Sequence, residues 1–361
     1  MDNTDIDAME LDALASFNDT LTTMLTTLSA FLLLTAASLD NNDETPRRRR
    51  RQRDPSQRKR RTTEYRRFRF NLDNLSNQMC TQFFRFNKDE IRKILPYMGL
   101  SHLRYRNRLK PSEELAMCIW LNRLSWPNRI HDMPRLFGVS PTYISVVYND
   151  VMWHFHRRFT QFLRWDPERL TVSKIRQYAE VIGEGGKVWA FIDGTTQQIC
   201  RPGRNQEVFY TGHKAFHGYK WQGIVTPDGL CSSLAGPKEG STSDWLMYEH
   251  SGIDETINSL FNQHGIPLDR RPLIYGDAAY TSRMASMGPW RRPARGELSP
   301  EKISFNQRLS KKRVAVENFF SMVQAQWTLG VMRICHRLGS TPVALTFQAG
   351  LAQIRYSPTH A

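Results

Sequence analysis

The first 46 residues contain no Lys or Arg at all, against nine acids. A secretory signal begins with positive charge, and Asp2, Asp5 and Asp7 stand there instead. No long apolar run is present in this stretch either. The patch from Met24 to Leu39 is interrupted by Thr26, Thr27, Ser29 and Thr35, and it falls short of the roughly 20 residues a membrane-crossing helix needs. No membrane role is expected. Cysteine is scarce as well: Cys80, Cys118, Cys200, Cys231 and Cys335 are scattered, odd in number and form no CxxC. That argues against a zinc finger or a disulfide framework and for a reducing compartment. GxSxG, Walker and dinucleotide-glycine patterns are missing. His213 and His217 fall in a strand-like stretch without partners at ligand spacing, which disfavours zinc.

What is present is positive charge. The chain carries +15 in total; residues 1–46 hold −9 and residues 47–69 hold +11, which leaves +13 on residues 70–361. The body is therefore basic without its arginine run, and a polyanion such as nucleic acid is the leading partner. Residues 1–69 read as a disordered leader with a basic tract over 46–69. Within the tract, Arg47, Arg48, Arg49, Arg50, Arg51, Arg58, Lys59, Arg60 and Arg61 form two clusters around a proline-containing spacer. That arrangement favours nuclear import over a plain solvated linker, and with it localisation in the nucleus.

Residues 70–180 read as all-α. Pro111 opens one helix, followed by Ser112, Glu113 and Glu114. Over about 132–159 a short helix ending at Phe137, a turn at Gly138, a cap at Ser140 and a Pro141-led helix predict a helix-turn-helix, with an ordinary helical hairpin as the bland alternative. Thr142, Tyr143, Ser145 and Asn149 are its candidate DNA-binding residues.

From Lys187 the period changes. KVWAFID predicts a buried strand, and TQQIC and EVFYT predict a hairpin around RPGRNQ. GYKWQGIVT and GLCSSLAGP join through a Pro-Asp-Gly turn, a helix follows from about Ser243 to Phe261, and RPLIYGDAAY is another strand. Leu309 to Trp327 is an amphipathic helix with Val314, Phe319, Val323 and Trp327 on its apolar side.

Two buried strands thus end on acids, Asp193 and Asp277. If they run parallel and adjacent, the acids are neighbours, and a packed helix can add Glu317. Converging carboxylates need cations, and Mg²⁺ or Mn²⁺ suits oxygen ligands and in-line phosphoryl displacement. Each acid also has an ordinary reading. Asp-Gly after a strand is common turn chemistry, and Glu317 stands at i,i+4 from Arg313. Asp244 has two readings, a helix N-terminal cap or an extra metal ligand. Among basic residues between the later acids, Arg291, Arg292, Arg308, Lys311 and Lys312 are candidates for DNA contact or plain surface charge. Trp290 is either a base-stacking surface or a buried tryptophan.

The ordered motifs IDGT, RPG, NQEVFYTGHKAFHGYKWQ, PDG, GSTSDW, GDAAY and RVAVENFF resemble the PIF/Harbinger transposases, which are Harbinger transposase-derived nucleases of the DDE superfamily endonucleases. Ser243 stands where that family usually has His, and Ala279 where it has Gly. The resemblance implies an α/β fold with an RNase H-like mixed-sheet nuclease core at 187–330 and a helical tail at 331–361. It implies Asp193, Asp277 and Glu317 as the catalytic, metal-holding acids and a divalent cofactor, Mg²⁺ or Mn²⁺. Transposon ends and target DNA would be the substrates, cut by water and then joined by a 3′-hydroxyl. A Myb/SANT-like companion protein is implied as a partner, and a homo-oligomer is left open. The rival class is a catalytically silent, domesticated DNA-binding protein; an RNase H-like nuclease acting on RNA is a further alternative. An intact acidic set favours the enzyme.

Overall fold

The computed structural model describes residues 68–125 and 129–327. The leader through residue 67, with its import-type arginines, and the tail at 331–361 lie outside the described residues. Among the described residues no helix is long and apolar enough to cross a membrane.

The N-terminal part is helical: α1 (Asn77–Phe84), α2 (Lys88–Met98), α3 (Glu113–Ser125), α4 (Pro134–Phe137), α5 (Pro141–Arg164) and α6 (Val172–Ile182). Local chemistry fixes the ends. Asn87 and Glu90 form a reciprocal capping box at α2. Ser112, not Pro111, caps α3, its hydroxyl accepting from the Leu115 amide. Gly138 takes φ +67° after α4, and Ser140 caps α5 with Pro141 at the first helical position. A single-turn helix, a turn and a capped long helix thus occupy 134–164, the long helix running past residue 159 to Arg164. From Ala116 to Ser125 every residue of α3 is buried. A helix apolar nearly all round belongs at the centre of a core.

The second part comprises β1 (Val188–Gln198), a one-turn α7 (Gln206–Phe209), β2 (Tyr210–Thr211), β3 (Phe216–Val225), β4 (Cys231–Glu239), α8 (Asp244–Ser251), α9 (Ile253–Gln263), β5 (Leu273–Tyr275), β6 (Ser286–Met287) and α10 (Pro300–Gln326). The strands form one mixed sheet. β3 pairs antiparallel with β1, β2 and β4, while β5 lies parallel to β1 and β6 parallel to β5.

Several expectations change here. TQQ does not start a hairpin; it prolongs β1, which pairs with β3 as far as Gln198. EVFYT gives α7 and β2, and β2 pairs with the start of β3. The helix expected over Ser243–Phe261 breaks at Gly252, which adopts φ +67°. In α10, Val314 is 44% exposed, and Leu309, Val316, Phe319, Phe320 and Val323 form the buried stripe instead. β6 was not anticipated; two residues are too few to show a period.

Two cores flank the sheet. One joins the helical part, α10 and the face carrying Val188, Phe191, Trp221 and Tyr275. The other joins α6, α8 and α9 to the face carrying Trp189, Ala190, Ile192 and Ile224. Trp189 and Ala190 turn to the same side because the β1–β5 register slips between Val188 and Ala190. Such a bulge shifts the alternation by one residue. Beyond it, odd residues of β1 face α10 and even residues face α8 and α9.

Candidate active site

Asp193 lies inside β1, opposite Gly223 of β3, and not at a turn. The common turn chemistry of Asp-Gly therefore does not apply. Across the other edge, Phe191 is in register with Tyr275. Two residues further along each chain come Asp193, still within β1, and Asp277, in the loop that follows β5. The two lie near enough that the Asp277 charge helps to raise the Asp193 carboxyl above its ordinary value. Burial is the larger cause of that rise, and Arg313 and the Gly194 amide oppose it.

The alternation places Asp193 on the face covered by α10. What seats that helix is Gly223: a side chain there would come within 2.7 Å of the Phe320 ring. Burying a phenylalanine contributes about 1.5–3 kcal/mol, and this contact fixes the turn of α10 preceding Phe320 over Asp193. Arg313 then donates to Asp193 at 2.7 Å and to Glu317 at 2.7 Å. The i,i+4 pair expected on the helix is present, and the same guanidinium also holds Asp193. One guanidinium gathers a strand acid and a helix acid onto a single cation.

Gly194 and its partner Gln222 turn to the opposite face. There the missing side chain matters again, because a Cβ on Gly194 would meet the Asp244 carboxylate at 2.3 Å. Asp244 opens α8, but the capping is done by Ser243, whose hydroxyl accepts from the Leu246 amide. The Asp244 carboxylate is instead paired with Lys220 at 3.1 Å. Gln222 donates to the Asp244 carbonyl and to the Tyr280 hydroxyl, each at 2.8 Å. Burial, with the charges of Asp244, Asp193 and Asp277 nearby, holds the Tyr280 phenol well above its ordinary value. Asp193 and Asp244 thus approach adjacent residues of β1 from opposite faces. In keeping with this, among the described residues no three His, Cys, Asp or Glu form a metal-ligand group.

Asp277 sits in a tightly wound loop. Its carboxylate accepts from the Ala279 amide at 2.9 Å, and its carbonyl from the Tyr280 amide at 3.1 Å. Tyr280 lies over Gly276, where a Cβ would come within 2.2 Å of the ring. Arg291 reaches back to the Ala278 carbonyl at 2.6 Å. Trp290 beside it is 46% exposed, so the buried alternative does not hold.

The other candidate contacts are spread out. Thr142 is exposed at the start of α5; Tyr143, Ser145 and Asn149 are half-buried. Tyr143 packs on the helical core, and the Asn149 amide donates to the Ser145 carbonyl at 2.7 Å. Arg308 forms a two-pronged pair with Glu184, and Lys312 donates to the Ile182 carbonyl at 2.5 Å. Arg292 pairs with Glu297 at 3.4 Å. Lys311 is exposed on α10 with no partner among the described residues.

The donors suit a hard divalent cation. Asp193, Asp277, Glu317 and Asp244 offer only carboxylate oxygens, which match Mg²⁺ or Mn²⁺ better than zinc. Arg313 shows that Asp193 and Glu317 can share one cationic centre.

A mixed sheet with one acid inside β1, another in the loop after β5 and a third on the helix packed against the sheet is consistent with an α/β nuclease core. Residues 192–347 match the family model described as DDE superfamily endonuclease, and the match spans all four acids. It supports a DDE transposase-related nuclease, a class that uses divalent metals and acts on DNA. No curated protein and no solved structure matched the chain.

The residues that sequence reasoning missed are Arg313 as a bridge to Asp193, Gln222, Tyr280 and Lys220. Only Arg313 carried a signal, through its spacing to Glu317.

Proposed function

We propose that this protein is a metal-dependent DNA endonuclease of the Harbinger transposase type. The observation that carries it is the parallel register of β1 and β5, which sets Asp193 beside Asp277 on the sheet that α10 crosses with Glu317. The strand order β4-β3-β1-β5-β6 supports an RNase H-like core. Asp193, Asp277 and Glu317 would hold two divalent ions, which when bound would supply activation of a water or 3′-hydroxyl and stabilisation of the leaving oxygen of an in-line displacement; Asp244, which reaches β1 from the other face and pairs with Lys220, would stay outside that set. Gly194 and Gly223 keep space for Asp244 and Phe320, while Tyr280 stays protonated among the acids as a hydrogen-bonding support. Water would first free a 3′-hydroxyl at a transposon end, and that hydroxyl would then attack target DNA. The basic tract would take the chain to the nucleus. The α4–α5 region would contact DNA, and a Myb/SANT-like companion would read the terminal repeats.

The guanidinium shared by Asp193 and Glu317 favours one second reading, a catalytically silent, domesticated DNA-binding protein whose acids are neutralised from within. Nicking of supercoiled DNA by purified protein in Mn²⁺ decides between them. Under the first reading the wild type nicks, and Asp193→Ala, Asp277→Ala and Glu317→Ala each abolish it. Nicking that persists in all three substitutions removes the acidic set from the chemistry, and an inert wild type that still binds DNA supports the second reading.

A further inference from the structure

We propose that Trp290 is a stacking platform for an unpaired nucleobase of the DNA strand lying beside Asp277. The inference rests on the DNA-cleaving reading and names the part of the substrate this loop would hold. Four of the chain's tryptophans, Trp120, Trp189, Trp221 and Trp327, are fully buried, whereas Trp290 leaves 46% of its surface exposed. An exposed indole on a loop ordinarily swings with that loop. This one is fastened: its amide donates to the Asn306 side chain and its carbonyl accepts from the same side chain, both at 2.9 Å. The backbone that carries the ring is therefore fixed to the first turns of α10.

The mount is also tied to the acids. Arg291 donates to the carbonyl of Ala278, the residue after Asp277. A Cβ on Gly288 would lie 3.0 Å from the Asp277 carbonyl, so the two loops run in contact. The surroundings favour a polyanion. Residues 288–302 hold Arg291, Arg292, Arg295 and Lys302 against Glu297 and Glu301. Lys302 sits over the indole with its ammonium 4.6 Å from the ring centre, and Arg295 is exposed with no partner among the described residues. A flat π-surface with one ammonium against it, in a segment of net positive charge, suits a base that carries its own phosphate. Bases within a duplex have both faces covered by their neighbours, so the occupant is an unpaired base.

The test uses the full chain in EDTA, where cutting is prevented, and follows fluorescence anisotropy of two labelled probes. One is a fully paired duplex; the other is the same duplex with unpaired adenines at one end. Wild type prefers the second. Trp290→Ala loses that preference by about tenfold, as expected for one stacked base, while affinity for the paired probe and the melting temperature hold. Trp290→Phe keeps most of the preference. Equal losses on both probes, or none, overturn the proposal. A wild type that never nicks but shows this Trp290-dependent preference sinks the nuclease reading and leaves the platform. Nicking that needs the acids but ignores Trp290 in the binding assay does the reverse.

Discussion

Two arginines of helix α10, five residues apart, each hold an acid from the chain before it, and these two contacts behave in opposite ways. Near its start Arg308 grips Glu184 with both prongs at 2.8 Å, and this pairing is the chief cause that holds the Glu184 carboxyl below its ordinary range. Further along, Arg313 holds Asp193 at 2.7 Å, yet burial keeps that carboxyl above its ordinary range. The first contact ties α10 to a turn in which Glu184 itself adopts φ +57°. Its ionised form is favoured by folding, which marks it as a fastening. The second contact leaves a charge less comfortable in the folded chain than in water, and Arg313 divides its attention between Asp193 and Glu317. The Asp193 charge is thus tolerated rather than favoured by the fold, the opposite of a fastening.

The comparison breaks most completely if the helix is unseated. Phe320→Ala removes the ring that fills the space above Gly223, with an expected loss of about 3–5 kcal/mol in chemical denaturation. Both contacts should loosen together, and a loss below about 1 kcal/mol would mean that α10 is not held there. Glu184→Gln tests the fastening alone. Because the Glu184 carboxyl is lowered in the folded state, its contribution is present above the unfolded carboxylate range and disappears as pH falls through the folded value. The variant should melt below wild type near neutral pH, and the two curves should merge on acidification. A gap that stayed constant with pH would assign the loss to packing rather than charge.

Much of this arrangement was legible in the residues. VWAFID and PLIYGD carried their strands because runs buried on both faces are apolar without a break, and the parallel pairing, only a condition at the level of sequence, is met by the register. The helix that carries Glu317 was legible from its pattern, while the grouping of Glu317 with the strand acids came from the family resemblance. What could not be read was anything that depends on how closely distant segments approach. Gly194 looked like the second residue of a turn, yet it clears space for Asp244 from α8. Gly223 looked like an ordinary strand residue, yet it admits Phe320. TQQIC and EVFYT carried local hairpin chemistry that pairing with β3 overrode. Val314 was assigned to the apolar side of its helix, but the buried stripe from Leu309 to Val323 runs along a neighbouring face. Trp290 gave no indication of its exposure, since that depends on Asn306 pinning a loop of irregular shape.

The smallest effect carries the sharpest sign. Asp193→Asn keeps the shape of the side chain and removes the charge that burial disfavours. In wild type the folded carboxyl gives up its proton at a higher pH than the unfolded one does. Below the unfolded value both are protonated and ionisation costs nothing. As pH rises through the interval between the two values, the unfolded chain ionises first and gains on the folded one. Above the folded value the penalty is constant. The substitution should therefore melt at or slightly above wild type near neutral pH, and the advantage should fade as the solution is acidified. This is the opposite trend to Glu184→Gln. Adding Mn²⁺ should reverse the order, raising the wild-type melting temperature more than that of Asp193→Asn, because only the ionised site gains a ligand for the cation. If Asp193→Asn instead destabilises at neutral pH and converges with wild type in acid, then Arg313 outweighs burial. Asp193 would then be a second fastening, and the contrast along α10 would vanish.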